Sequence, residues 1–278
     1  MIPPTVTKLR ALHTSGCFVC PNPWDVGSAV ILHQLGFKAL ASTSSGLAFS
    51  HGLPDRVNAA SLEVTLDHLR ALVEATPLPV SADFQAGLAT TTEELARNVT
   101  RCVATGVAGL SIEDATGDRE RPLYDRRVAI ERVRAARQAI DATGIPVVLT
   151  ARCEAYLVGA PDADRIVFDR CEAFIAAGAD CVFAPTLPAN RIEAFVRAMA
   201  PTPVNVLVSG PNPDLTVARL ADLGVRRISV GSALARVAWG AFVAAARSIA
   251  ETGKFDALAS AAPFSLIDGF FNGRSDAN

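Results

Sequence analysis

Residues 104–114 read ATGVAGLSIED. A helical pattern, with apolar residues three and four apart, reaches Gly106. A short, almost unbroken apolar run follows and stops on two carboxylates, Glu113 and Asp114. The same order recurs as AAGADCVFAP at 176–185 and as DLGVRRISVG at 222–231. Glycine in this place suits the left-handed residue that closes a helix. An apolar run without alternation suits a strand covered on both faces, as in parallel sheets. Working outward from these three, eight such runs can be marked, at 17–21, 38–43, 78–83, 108–113, 146–151, 180–184, 204–208 and 226–230. Helix-length patterns lie between and after them, at 28–35, 59–75, 92–105, 127–143, 164–177, 191–199, 214–223 and 232–251. Eight evenly spaced strand–helix units predict a single (β/α)8 TIM barrel over residues 1–278. An open, doubly wound sheet uses the same grammar. It is disfavoured because the spacing is even and no GxGxxG follows the first run.

Composition narrows the class. Of 278 residues, 50% are hydrophobic and 19% charged, so the chain can bury a large core. The net charge is −2, with no basic run to suggest a nucleic-acid partner. The N-terminus lacks the apolar core of a signal peptide, and the apolar blocks are interrupted by Asp, Arg or Gly. The expectation is a soluble cytoplasmic protein with neither nucleic acid nor membrane as partner. Six scattered cysteines read as buried thiols in a reducing compartment. No linker marks a second domain. The tail, 254–278, carries an apolar block at 262–271 with Phe264, Leu266, Ile267, Phe270 and Phe271. Left exposed these would form an apolar patch, so the tail is read as an oligomerisation segment.

In a barrel of this kind chemistry sits at the C-terminal ends of the strands. The polar residues just past each run are therefore the candidates. Asp83 and Glu113 end neighbouring strands, and two carboxylates brought close need a proton or a cation between them. Hard oxygens with room for water suit Mg2+ or Mn2+. Arg152, one strand on, offers a planar fork for a carboxylate. Ser44, Ser45 and Gly46 read either as an anion cradle or only as a tight turn. Together these describe a site for a dianionic 2-oxo acid. Asn22 and Asp25 read as turn and cap residues. Asp114 reads as the structural member of the Glu113–Asp114 pair. His33 and His68, within helices, read as structural, and His51 stays open.

At these residues the chain resembles the isocitrate lyase/phosphoenolpyruvate mutase superfamily, in its phosphoenolpyruvate mutase-like branch. The matching pieces are NPWDVGSAVILHQLGFKALASTSSGLAFSHGLPD (22–55), PVSADFQAG (79–87), GVAGLSIED (106–114), VVLTARCEAYL (147–157) and PVNVLV (203–208). The resemblance implies a barrel whose C-terminal helix is swapped between subunits of a homodimer or homotetramer. It implies Mg2+ or Mn2+ on Asp83 and Glu113. It places substrate binding on Ser44, Ser45, Gly46, Leu47, Arg152 and Asn205, and catalytic roles on Asp55 and Arg152; Thr116, in the loop at 115–125, is a further catalytic candidate from its position alone. The reaction implied is metal-dependent cleavage of a C–C or P–C bond in a small 2-oxo acid or dicarboxylate, oxaloacetate-like or phosphonopyruvate-like. A phosphomutase and a barrel that only binds such an acid are the alternatives. Two departures stand out. The family's Asp-Ala-Asp reads Ser81-Ala82-Asp83 here. The lyase branch's Lys-Lys-Cys-Gly-His is also missing from the loop at 115–125, where Thr116 and Asp118 stand instead.

Overall fold

The structure is a computed structural model and describes residues 1–272. In chain order its elements are α1 (Pro4–Thr14), β1 (Phe18–Cys20), α2 (Val26–Gln34), β2 (Leu40–Ala41), α3 (Ser44–Ser50), α4 (Leu62–Ala75), β3 (Val80–Asp83), α5 (Thr92–Val103) and β4 (Gly109–Glu113). They continue with α6 (Arg126–Ala142), β5 (Val148–Arg152), α7 (Ala163–Ala176), β6 (Cys181–Phe183), α8 (Ile192–Met199), β7 (Val204–Leu207), α9 (Val217–Asp222), β8 (Arg227–Ser229), α10 (Ala233–Thr252) and α11 (Phe264–Phe271). Each predicted strand and helix is present within a few residues of its expected bounds.

All eight strands are parallel and follow one another around the sheet in the order β1-β8-β7-β6-β5-β4-β3-β2. The two ends meet where the Ala41 amide donates to the Pro21 carbonyl at 3.0 Å, which makes the sheet a ring. Asn22 strengthens the seam. Its Oδ1 accepts from the Val230 and Gly231 amides, both at 2.9 Å, and its Nδ2 donates to the Ser42 carbonyl at 3.0 Å. The helix-closing glycines at 36, 106, 144, 178 and 224 all have positive φ, between 69° and 105°. This is why the strand can turn back onto the ring without strain.

Two helices depart from the sequence reading. The N-terminal α1 buries Val6 and Leu9 fully and packs Leu9 against Gly109, where an added Cβ would lie 2.9 Å from Leu9 Cδ2. The Ser-Ser-Gly stretch is the first turn of α3 and not a free turn. Thr43 caps it, accepting from the Gly46 amide at 3.2 Å.

Helix α10 buries only Ala235 and exposes Val237, Trp239, Phe242 and Val243. Its 20 residues and mean hydropathy of 1.3 make it the one described helix long and apolar enough to cross a membrane. The interruptions expected to prevent this, Arg236, Gly240 and Arg247, are too sparse to lower its average. Helix α11 returns to the barrel, with Phe271 packed against the core beside α2, while Phe264, Leu266 and Ile267 remain exposed. The tail residues 273–278 lie outside the described residues.

Candidate active site

Parallel register decides which side chains share a level. Asp83 pairs with Ser111, Glu113 with Arg152, Arg152 with Phe183, and Phe183 with Asn205. Glu113 and Arg152 share a level, Asp83 ends the neighbouring strand two residues lower in register, and all three stand at the C-terminal rim. They converge on the floor of a cavity of about 590 Å3, walled also by Ser44, Ser45 and Asp55. Arg152 Nη1 lies 3.2 Å from Asp83 Oδ1 and 3.3 Å from Glu113 Oε2. The spatial convergence expected from the sequence is thus present.

The fork of Arg152 is engaged by a residue that the sequence reading left outside the site. Glu154, two positions on and buried, accepts from Nε through Oε1 and from Nη2 at 3.3 Å through Oε2. The Phe183 ring lies 5.3 Å from the guanidinium carbon. Three of the five guanidinium N–H groups are hydrogen-bonded, those on Nε and Nη2 to Glu154 and one on Nη1 to Asp83, and the second N–H on Nη2 has no carboxylate partner. Burial pushes Arg152 down, but Glu154, Glu113 and Asp83 more than reverse this and hold it well above its usual range.

Asp83 is held from the other side by α3. Its Oδ2 accepts from the Ser44 amide at 2.9 Å and from the Ser44 hydroxyl at 2.8 Å. Ser45 donates to Asp55 Oδ2 at 2.7 Å. Gly46 and Leu47 face away from the cavity. A Cβ on Gly46 would lie 2.6 Å from Thr43 Cγ2 and 2.8 Å from Trp24 Cβ. Leu47 lines a small pocket behind α3 with Thr65 and His68. Thr116 turns into its own loop, donating to the Arg121 carbonyl and accepting from the Asp118 amide, while Asp118 lines the cavity. Asn205 sits below, in a separate chamber.

Several unpredicted residues position this site. Gln85, at φ +47°, accepts from the Asn58 amide at 3.0 Å and donates to the Arg56 carbonyl at 3.3 Å, pinning the loop that carries Asp55. Asp114 is engaged on both oxygens. Its Oδ2 pairs with Arg170 at 2.7 Å and its Oδ1 accepts from the Glu154 amide at 2.8 Å. Asp25 caps α2 in a reciprocal capping box with Ser28. His68 is buried in its helix, and burial lowers its pKa to about 4. At the cavity mouth stand Arg56, Arg119 and Arg236, none of them anticipated.

Charge arithmetic bears on the metal. Three carboxylates (Asp83, Glu113 and Glu154) surround one guanidinium, leaving two negative charges uncompensated if all are ionised. Burial first, then repulsion from Glu154 and Asp83, push Glu113 up to about 8 despite Arg152. A divalent cation would satisfy the same imbalance that a proton satisfies on Glu113. Ser81 is buried a pleat below Asp83 and is not among the cavity-lining residues. Among the described residues no group of three or more His, Cys, Asp or Glu forms a ready ligand set. The donors fit a hard ion bound through two carboxylates that keeps most of its waters, as Mg2+ does.

A closed parallel barrel with carboxylates and an arginine gathered at its C-terminal rim has the arrangement of a barrel enzyme. The family model for phosphoenolpyruvate phosphomutase matches residues 9–250, and the chain belongs to that family. The superfamily contains lyases and mutases that act on C–C and P–C bonds, and its members generally depend on a divalent metal ion; this chain is an enzyme of that superfamily. A solved structure from Burkholderia cenocepacia J2315, described only as far as lyase/mutase, is 44% identical, with a TM-score of 0.91 over 97% of this chain and 96% of that one. An uncharacterised protein of Mycobacterium tuberculosis (strain ATCC 25618 / H37Rv) is 31% identical over 86% of this chain and 88% of its own length. Oxaloacetate acetylhydrolase, solved with its product oxalate, is 26% identical with a TM-score of 0.86, covering 98% and 96% of the two chains.

Proposed function

We propose that this enzyme cleaves the C–C bond next to the oxo group of a small dianionic 2-oxo acid of the oxaloacetate type. The observation that carries the proposal is the meeting of Asp83, Glu113 and Arg152 within 3.3 Å at the rim of the barrel. Asp83 and Glu113 would hold Mg2+ or Mn2+, which when bound would draw electron density from the oxo and carboxylate oxygens of the substrate. Arg152 fixes both carboxylates and offers its remaining Nη2 N–H to the substrate. Ser44 and Ser45 hold Asp83 and Asp55 in place, and Asp55 stands where it can take or give a proton at the substrate. The arginines at the mouth, Arg56, Arg119 and Arg236, favour a substrate with a second anionic group.

A panel of 2-oxo and 2-hydroxy diacids, assayed with and without Mg2+, tests this reading. Turnover should require the metal and fall at least 100-fold in Arg152→Ala with the fold intact; an unchanged rate in that variant rules the assignment out. Ser81 in place of a carboxylate favours a second reading, a barrel that only binds such an acid. Ligand-dependent thermal stabilisation without any turnover would select it.

The partner proposed is a second copy of the chain. Trp239, Phe242 and Val243 on α10 lie exposed, as do Phe264, Leu266 and Ile267 on α11, more apolar surface than a monomer keeps in water. A homodimer or homotetramer joined through these helices, with exchange of α11, would cover it. Light scattering on the purified chain should show such a species.

A further inference from the structure

Inside the barrel, beneath the active cavity, lies a second chamber of about 40 Å3. Asn22, Asp83, Phe183 and Ser229 line both spaces. The lower walls include Thr150, Asn205 and Arg227, and register makes Asn205 and Arg227 neighbours on β7 and β8.

Arg227 is 5% exposed and forms no ion pair with a carboxylate among the described residues. Its Nη1 reaches Thr150 Oγ1 at 3.4 Å, its guanidinium meets the Cys20 thiol, and its Nε has no partner in the protein. A buried guanidinium without a countercharge is costly. Asp83 is the one carboxylate lining the chamber, and its oxygens are committed upward to Ser44 and Arg152. His13 offers nothing, because burial first and the Arg227 charge second push it down to about 4, leaving it neutral.

Asn205 tells the same story from the other side. It is 2% exposed, its Nδ2 donates to Ser229 Oγ at 2.9 Å, and its Oδ1 is buried without a partner. The two ends of an amide are assigned from their hydrogen bonds. Turned by a half rotation, Oδ1 accepts from the Ser229 hydroxyl and Nδ2 points into the chamber as a donor. Arg227, whose Nε is unpartnered, and the Asn205 amide then border one small space, while the Thr150 hydroxyl is engaged by Cys181 and Arg227. At about 40 Å3 it exceeds the ~10–15 Å3 that one water needs and falls far short of the ~300 Å3 of a metabolite pocket.

We propose that this chamber binds one small monovalent anion of halide size, held by Arg227 and Asn205. The anion supplies the countercharge that Arg227 lacks. The site is separate from the proposed substrate cavity and stands whether or not that reading holds.

Bromide is the probe. Crystals of the full chain grown in bromide should show an anomalous peak in the chamber, in contact with Arg227 and Asn205. In solution the wild type should unfold about 3 °C higher as chloride rises to about tenfold its dissociation constant, against gluconate at equal ionic strength. Arg227→Gln should abolish that difference. Should this variant fail to fold, the bromide experiment on the wild type decides alone. Water without anomalous signal in the chamber overturns the proposal. So does a bromide peak with equal melting in chloride and gluconate, which would mark an adventitious ion only.

Discussion

Replacing Glu113 by glutamine should reduce a pH dependence of stability to which this carboxyl is a main contributor. The folded acid keeps its proton up to about 8, against an ordinary value of 4.5. Between those values the folded state carries a proton that the unfolded state has released. The contribution is therefore fully present below pH 4.5 and is lost as pH rises toward 8. At about 1.36 kcal/mol per pH unit, the ceiling is about 5 kcal/mol. Glu154 is also pushed up by burial and interacts with the same arginine, so the two titrate together and the ceiling is not reached. The expected loss is about 2–3 kcal/mol between pH 5 and 8, read from urea unfolding in the presence of EDTA. Excess Mg2+ should shrink the slope in the wild type, because a divalent cation on Asp83 and Glu113 displaces the proton. The glutamine variant should keep only the shallower slope left to Glu154 and should lose the Mg2+ effect. Parallel wild-type and variant curves would refute the reasoning, since they would mean that Glu113 is ionised in both states.

Two further perturbations probe the same floor. Gly46→Ala places a methyl group 2.6 Å from Thr43 Cγ2 and 2.8 Å from Trp24 Cβ, and should cost about 1–3 kcal/mol in urea unfolding; an unchanged midpoint would contradict the close approach of α3. Glu154→Gln removes the anion that locks the Arg152 fork and should lower kcat about 10- to 100-fold. Glu154→Asp should restore part of that loss, and a full rate in the glutamine variant would show that Arg152 needs no such anchor.

The barrel was legible because its strands are buried on both faces, so each appears as an unbroken apolar run, and because a glycine with positive φ marks the turn into five of them. The rim residues were legible for a geometric reason. Once the strands form a ring, whatever polar residue ends a strand must face the same opening. What stayed hidden depends on short-range contacts that periodicity does not encode. Helix α1 has no side-chain cap and no acidic residue in its first turn, so only Pro4 at its first position announces it. Helix α3 is 7 residues long, too short for a repeat, and its Ser-Ser-Gly start imitates a turn. The grip of Glu154 on Arg152 follows from the direction in which the chain leaves β5. The fate of Thr116 follows from the closure of its own loop on Arg121.

The interior of this barrel carries charge in two levels, and the separation of those levels follows from α3. The upper level holds Asp83, Glu113 and Glu154 against Arg152, an excess of negative charge. The lower level holds Arg227 without a carboxylate. One hydrogen-bonded pair between Asp83 and Arg227 would offset much of both imbalances, yet the chain does not make it. Ser44, at the start of α3, takes Asp83 Oδ2 through both amide and hydroxyl and turns the carboxylate up toward Arg152. Capping by Thr43 and the tight seat of Gly46 fix α3 in that position. A loose α3 would let Asp83 fall toward Arg227, giving a quieter interior and a rim without its paired carboxylates. The imbalance above invites a cation, and the imbalance below invites an anion.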